Sequence, residues 1–196
     1  MLVLASASPR RLQLLGRIGL VPDVVEAAGV EESARAQEAP GAMARRLAEA
    51  KADSVAGRYP DAFVLAADTV VAVGRRVLAK PVDAAAARAC LEMLSGRRHR
   101  VWSAVALIAP GARRSSRLVG TVVSFRRLSR AGIDHYVDSQ EWRDKAGGYA
   151  IQGMAGAFVR RVNGSCSGVV GLPLAETAGL LAGMGWPWPP GKGGGA

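Results

Sequence analysis

Leu2-Val3-Leu4-Ala5-Ser6-Ala7-Ser8-Pro9-Arg10-Arg11 opens the chain, and the order of residue types in it sets the architecture. Leu2 to Ala5 reads as a short buried strand. Ser8 then Pro9 reads as a helix start, because a serine side chain can accept from a first-turn N–H and proline has no N–H to leave unpaired there. Leu12, Leu15 and Ile18 follow on one predicted helix face. Arg10 and Arg11 fall in the first turn, where exposed N–H groups already carry positive partial charge, so two cations there oppose the helix dipole. A phosphate seated on the loop and helix N-terminus would offset that cost, gripped by a guanidinium. The plain alternative is two arginines pointing into water.

Outward from this strand-loop-helix unit, a second helix is predicted from about Pro40 to Ala56, with Met43, Leu47 and Ala50 inward and Lys51 near its later turns. Phe63 to Ala67 reads as a buried strand ending at Asp68, with Val70 to Val73 continuing extended and Arg76 to Leu78 returning after the Gly74-Arg75 turn. Asp83 is a natural cap for a helix to Leu94, which Ser95-Gly96 stops. Val101 to Ala109 and Leu118 to Phe125 form an expected antiparallel pair across Pro110-Gly111, so the sheet is mixed. Ser129 to Val137 reads as a short helix and Trp142 to Gly156 as an irregular loop. Phe158 to Val162 and Val169-Val170 read as a hairpin about Asn163-Gly164, before a last helix from about Leu174 to Met184. Residues 1–186 are expected to form a single α/β domain, and the Pro/Gly-rich end from Pro187 to Ala196 a disordered tail.

The 196 residues carry a formal net charge of +10, which raises the question of a nucleic-acid partner. The excess is scattered, however, and the clusters Arg97-Arg98-His99-Arg100 and Arg113-Arg114 lack interleaved aromatics or a nucleic-acid motif. Only Lys51, Lys80, Lys145 and Lys192 among the 26 basic residues are lysines, so a lysine kept in an arginine-biased chain hints at a specific contact. Cys90 and Cys166 give neither a disulfide framework nor a metal-ligand spacing, and no apolar stretch reads as a leader or a membrane span. A cytoplasmic protein is expected.

Several residues have the chemistry of a phosphate site. Asp68-Thr69 follows an apolar strand, and its carboxylate is suited to activating water or holding a divalent metal, though a structural Asp at a strand end is commoner. Lys80-Pro81 lies beyond the hairpin that begins there, which allows its ammonium to return towards Asp68. Glu31-Glu32 lies in a polar stretch where paired carboxylates bind Mg²⁺ or Mn²⁺ or are merely solvated. Asp144-Lys145-Ala146-Gly147-Gly148-Tyr149-Ala150-Ile151-Gln152-Gly153 joins glycines that permit close backbone approach to an amide able to read a base edge.

Taken in order, Leu4 to Arg11, Ala67-Asp68-Thr69-Val70-Val71, Leu78-Ala79-Lys80-Pro81, Leu94-Ser95-Gly96-Arg97, Asp144 to Gly153 and Val170-Gly171-Leu172-Pro173-Leu174 resemble the Maf family of nucleoside triphosphate pyrophosphatases. The resemblance implies a mixed twisted sheet flanked by helices, with a nucleotide-binding cleft as in house-cleaning pyrophosphatases, usually in a homodimer. It implies Asp68 as the catalytic carboxylate, Arg11, Thr69 and Gln152 as specificity positions, and Ser8, Arg10, Lys51 and Lys80 as phosphate-side positions. Glu32, with Asp68, would hold a divalent cation, Mg²⁺ or Mn²⁺. The Asp144 to Gly153 block resembles the subgroup that cleaves dTTP and UTP, and modified pyrimidine nucleotides are further expected substrates. Trp142 and Cys166 depart from the family pattern at positions expected to flank the base pocket.

Two rival readings have sequence support. Gly164-Ser165-Cys166-Ser167-Gly168 has the outline of a nucleophile elbow, but an elbow needs strand-turn-helix and the segment after it reads as β. A nucleic-acid-binding or cell-division regulatory module without hydrolase activity would use the positive charge instead. His99 and His135 show no zinc pattern.

Overall fold

The structure, a computed structural model, describes residues 1–187; residues 188–196, on which nearly all of the expected tail falls, lie outside the described residues. In chain order the elements are β1 (Leu2–Leu4), α1 (Pro9–Arg17), β2 (Val24–Val25), α2 (Pro40–Ala56), β3 (Phe63–Val73), β4 (Arg76–Leu78), α3 (Ala84–Leu94), β5 (Arg98–Ala109), β6 (Arg113–Phe125), α4 (Arg130–Asp138), β7 (Val159–Asn163), α5 (Cys166–Val170) and α6 (Leu174–Gly183). The sheet runs β2-β1-β3-β5-β6-β7, with β4 hooked onto β3. β1 is parallel to β2 and β3, and the remaining pairs are antiparallel. The mixed α/β sheet flanked by helices is the architecture expected from the sequence.

Helices cover both faces, because successive residues of β3 point to opposite layers. Val64, Ala66 and Val70 meet Met43, Ala44, Leu47 and Ala48 of α2 on one face. Leu65 and Ala67 meet Leu14 and Leu15 of α1 and Leu180 and Leu181 of α6 on the other. Farther along that second face, Val71, Val101 and Phe125 pack on Leu91 and Leu94 of α3 and Ile133 and Tyr136 of α4. Trp102 of β5 lies between α2 and β6, and a Cβ on Gly120 would come within 2.8 Å of its ring, so that position demands glycine, while one on Gly41 would press on the ring at 3.2 Å.

The feature that positions the site is a gap. β1 stops after Leu4, where the chain turns through Ser6 and Ser8 into α1, and it accompanies β3 only over Phe63–Leu65. β4 joins the same edge of β3 only from Val71 to Val73. From Ala66 to Val70 that edge has no strand beside it among the described residues. A cleft therefore opens there, with Asp68 facing the α2 layer and Thr69 the other.

Four local expectations need correction. α1 buries Leu14 and Leu15, whereas Leu12 is 40% exposed, because the sheet lies on the side of the helix one residue round from the predicted stripe. On α2, Ala44 and Ala48 carry the inward face while Ala50 is half-buried. β3 does not end at Asp68: its ladder to β5 runs unbroken through Asp68↔Ala104 and Thr69↔Ser103, since a carboxylate can be accommodated in mid-strand where a cation meets it. Val169-Val170 is helical rather than extended, because Ser165 caps α5 by accepting from Gly168 N at 3.0 Å. The irregular Trp142 to Gly156 stretch contains short 3-10 turns at Ala146–Gly148 and Met154–Phe158. Among the described residues no helix is long and apolar enough to cross a membrane.

Candidate active site

Lys51 lies four residues after Leu47 and eight after Met43, so α2 turns it onto the same buried face, where it meets Asp68 in the gap of β3. Its Nζ donates to Asp68 Oδ1 at 2.6 Å and to Glu32 Oε1 at 2.5 Å. Lys51 and Asp68 are each only 6% exposed, so the two charges need each other: an ammonium or carboxylate without water or a partner is costly. Lys80, returning after β4, places its Nζ 3.2 Å from Glu32 Oε2. Burial pushes the Glu32 carboxyl up, but the bonds and charges of Lys51 and Lys80 outweigh it and hold the group below its ordinary value. Of the neighbouring pair, Glu31 takes no part in this cluster; it accepts from the Ser33 hydroxyl.

The N-terminus of α1 forms the adjoining wall. Ser8 occupies the cap position but its hydroxyl makes no capping bond, contrary to the expectation from Ser-Pro. Its N–H instead donates to Ser6 Oγ at 3.2 Å. Arg11 folds back into the protein, donating from Nε to the Gly171 carbonyl at 3.0 Å and from NH1 to Ser6 Oγ at 2.9 Å. Burial lowers its affinity for a proton, Arg10 adds to that, and Asp68 and Glu32 work the other way. Arg10 reaches across to the Asp144 carbonyl at 3.2 Å. Neither arginine simply points into water.

The Asp144 to Gly153 segment closes the cleft from the far side. Gly147 and Gly148 hold φ of +71° and +69°, and a Cβ would meet Val71 Cγ1 or Pro81 Cγ at 2.9 Å, so only glycine lets the segment lie against β3 and the Lys80 loop. Behind them Tyr149 is buried against His99 and Phe125, its hydroxyl 2.7 Å from His99 Nε2. Lys145 enters the cleft with its ammonium lowered by burial and by Arg10. Gln152 stands exposed at the mouth, while the buried Thr69 Oγ1 has no hydrogen-bond partner.

These walls enclose a cavity of about 760 Å³, lined by Ser8, Arg10, Arg11, Glu32 and Lys51 on one side and by Asp68, Thr69, Lys80 and Gln152 on the other. Every residue to which the resemblance gives a role thus reaches one cleft, whereas Glu31, the other half of the carboxylate pair, does not line it. Ser6, Gly171 and Lys145 were not singled out for roles there. Lys145 had a signal, as one of four lysines in an arginine-biased chain; the Ser6 hydroxyl and Gly171 carbonyl hold Arg11 through tertiary contacts that leave no local trace. Among the described residues no three His, Cys, Asp or Glu side chains gather as a self-sufficient metal site. The donor set, Glu32 and Asp68 about one ammonium, instead fits a hard divalent cation that takes one or two carboxylates and completes its shell with phosphate oxygens and water.

The description "Maf-like protein" matches residues 1–184 of the chain. The chain belongs to the Maf family. A relative in Paramagnetospirillum magneticum is 60% identical over 185 residues, covering 94% of this chain and 97% of its own, and is named dTTP/UTP pyrophosphatase. One in Rhodospirillum rubrum with the same name is 59% identical, over 94% of this chain and 88% of its own. Among solved structures, a HAM1 protein from Coxiella burnetii aligns over 93% of this chain and 98% of its own with 17% identity and a TM-score of 0.49.

The two departures from the Maf pattern do not themselves line the cleft. Trp142 is buried in the α3–α4 layer, with Nε1 donating to the Val137 carbonyl at 2.9 Å, and does not line the cavity. Cys166 is exposed and lies outside it too. The strand-turn-helix that a nucleophile elbow needs is present at β7–α5, contrary to the sequence reading. The Cys166 thiol nevertheless has no hydrogen-bond partner among the described residues, and His99 is engaged with Tyr149, so no base is positioned for it.

Proposed function

We propose that this Maf protein hydrolyses nucleoside triphosphates, dTTP and UTP first among them and modified pyrimidine nucleotides in addition, to the nucleoside monophosphate and pyrophosphate. The observation that carries the proposal is the convergence of the buried Asp68–Lys51–Glu32 cluster and the arginine-bearing N-terminus of α1 on one cavity. The names of relatives at 59% and 60% identity supply the nucleotide. Cytoplasmic location, a homodimer and dependence on Mg²⁺ or Mn²⁺ are parts of the same proposal.

The chemistry asked of the residues is the displacement of pyrophosphate from the α-phosphorus by water. Asp68 orients the water and accepts its proton as the new P–O bond forms, and the bond from the α-phosphorus to the bridging oxygen breaks. Lys80 and Arg10 stand where cations can take up the charge that grows on the leaving pyrophosphate. Lys51 keeps Asp68 aimed, since its ammonium donates to the carboxylate directly. Glu32 and Asp68 would hold the divalent cation, which when bound polarises the phosphate and neutralises part of its charge. Thr69 and Gln152 are assigned to selecting the base and Arg11 to shaping the pocket between them; the unpartnered Thr69 hydroxyl and the presence of all three in the cavity lining support that reading.

Asp68→Asn tests this reading. Turnover of dTTP should fall by roughly 10³-fold or more while nucleotide binding, measured by calorimetry, persists. Near wild-type turnover in a folded variant, or release of orthophosphate in place of pyrophosphate, would remove Asp68 or the reaction class from the proposal.

A further inference from the structure

Gln152 stands on an exposed turn, yet a base reader has to hold its amide within a few tenths of an ångström of one position. On its N-terminal side the turn is anchored: the Ala150 N–H donates to the buried Tyr136 hydroxyl at 2.9 Å, and the Gly153 N–H donates to the Ala150 carbonyl at 3.0 Å. On its C-terminal side the Gly156 N–H donates to the Gly153 carbonyl at 2.9 Å, and a further anchor comes from outside the segment. Glu141 sends its carboxylate over the turn, and Oε2 accepts from the Met154 N–H at 2.9 Å. The same oxygen lies 2.2 Å from where a Cβ on residue 153 would stand, so the carboxylate occupies the space that glycine leaves open. Gly153 has a negative φ of −111°, so a Cβ there would strain no backbone and would instead displace the flexible end of Glu141.

We infer that Glu141 is a positioning residue for base selection: its carboxylate clamps the 153–154 backbone and thereby fixes Gln152 for a pyrimidine carrying an oxygen, rather than an amino group, at its 4-position. The inference rests on the reading of Gln152 as the base contact. Held with its NH₂ towards the base, the Gln152 amide donates to that exocyclic oxygen and is mismatched to an amino group, whereas an amide free to turn would offer its own oxygen to the amino group, so the value of Gln152 lies in its placement. Glu141 touches neither the base nor the reacting phosphate in this scheme. Loss of the clamp should weaken dTTP binding and erode discrimination while leaving the chemistry at Asp68 nearly intact.

The test compares kcat and KM for dTTP and dCTP in Glu141→Ala, Glu141→Gln, Gly153→Ala, the Glu141→Ala/Gly153→Ala double variant and Gln152→Ala. Glu141→Ala should raise the dTTP KM about tenfold with kcat within threefold, and lower the dTTP:dCTP ratio of kcat/KM at least fivefold. Glu141→Gln, whose amide oxygen still accepts from Met154, should recover most of the ratio. Gly153→Ala should push the carboxylate off its bond and reproduce the Glu141→Ala effect, and the double variant should be no worse than either single one. If Gln152→Ala lowers the ratio but Glu141→Ala leaves it within twofold, the base reading stands and Glu141 is only structural. If Gln152→Ala itself leaves the ratio unchanged, Gln152 is not the base contact and the inference about Glu141 falls with it. Should Glu141→Ala fail to fold, Gly153→Ala, which keeps the carboxylate but displaces it, decides by the same ratio.

Discussion

Replacing Lys51 by methionine keeps the length of the side chain and removes the one charge that Asp68 and Glu32 share. In the native protein Lys51 is 6% exposed and lies 2.6 Å from a carboxylate that is equally buried, while its second partner, Glu32, is nearly half exposed and retains Lys80. Removing one partner of a buried pair costs about 3–5 kcal/mol. Glu32 can turn to water, so the loss falls on Asp68 alone and lies near the lower end, about 3 kcal/mol. With a urea slope of about 2 kcal/mol/M, the unfolding midpoint should fall by about 1.5 M at neutral pH. The double variant Lys51→Met/Asp68→Asn, which buries no unpaired charge, should recover most of that loss, and the pair should therefore be strongly non-additive. Mg²⁺ offers the two carboxylates another cation, so it should raise the midpoint of Lys51→Met more than that of the wild type. Equilibrium urea unfolding followed by circular dichroism reads all three. A midpoint within 0.3 M of wild type for Lys51→Met, well inside the shift of about 1.5 M, would show that Lys51 does not neutralise a buried carboxylate.

Two further outcomes are expected. Burial alone lowers the His99 pKa from 6.5 to about 4, so the unfolded chain takes up a proton first as the pH falls: stability is whole above pH 6.5, and about 3 kcal/mol of it is lost by pH 4. The loss should be visible as a falling urea midpoint over that window and be absent from His99→Phe; equal slopes in the two proteins would show that His99 is not the group responsible. Gly147→Ala adds a Cβ 2.9 Å from Val71 Cγ1 at a φ of +71° and should destabilise by about 2 kcal/mol or more while raising the dTTP KM; a variant with unchanged stability and KM would mean that the Asp144 to Gly153 segment is not held against β3 by close backbone approach.

What the sequence makes legible here is whatever is decided locally. Pro40 to Ala56 is a helix at the predicted bounds because proline opens it and alanine and leucine fill it, and Asp83 caps α3 through the Ala86 N–H as its type and position suggest. The segments that mislead are those where a distant partner outweighs local preference. Val169-Val170 has β-prone side chains, yet Ser165 caps a helical turn there that packs on β5. Asp68 reads as a strand end because carboxylates rarely sit in mid-strand, and only Lys51, seventeen residues earlier, lets the strand run on. The site is legible as a set of chemistries, since phosphate-binding types recur in separate blocks, but not as a geometry. That Lys51 lies between two carboxylates, that Arg11 turns away to Gly171, or that Glu141 fills the space beside Gly153 depends on contacts between blocks far apart in the chain.

The same contacts decide what the surplus positive charge is for. Six cationic side chains line the cleft against three acidic ones, and two of those acids, Asp68 and Glu32, are already answered by Lys51 and Lys80. The excess therefore belongs to Arg10, Arg11, Arg143 and Lys145, whose field is directed into a cavity walled by protein on both sides. Charge held in a concave, partly dehydrated site attracts a compact anion far more strongly than the same charge spread over an open face, where salt screens it. A nucleic-acid backbone needs the second arrangement, with cations tracking successive phosphates along an accessible surface. A polyphosphate chain needs the first. Four arginines elsewhere, Arg46 with Glu38, Arg58 with Glu26, Arg88 with Asp134 and Arg114 with Asp53, are paired with carboxylates, which takes those four out of that competition. The net charge of +10 thus says little by itself, and its placement says a good deal: the part of it left without carboxylate partners beside Asp68 is arranged around a space for the phosphates of one small molecule.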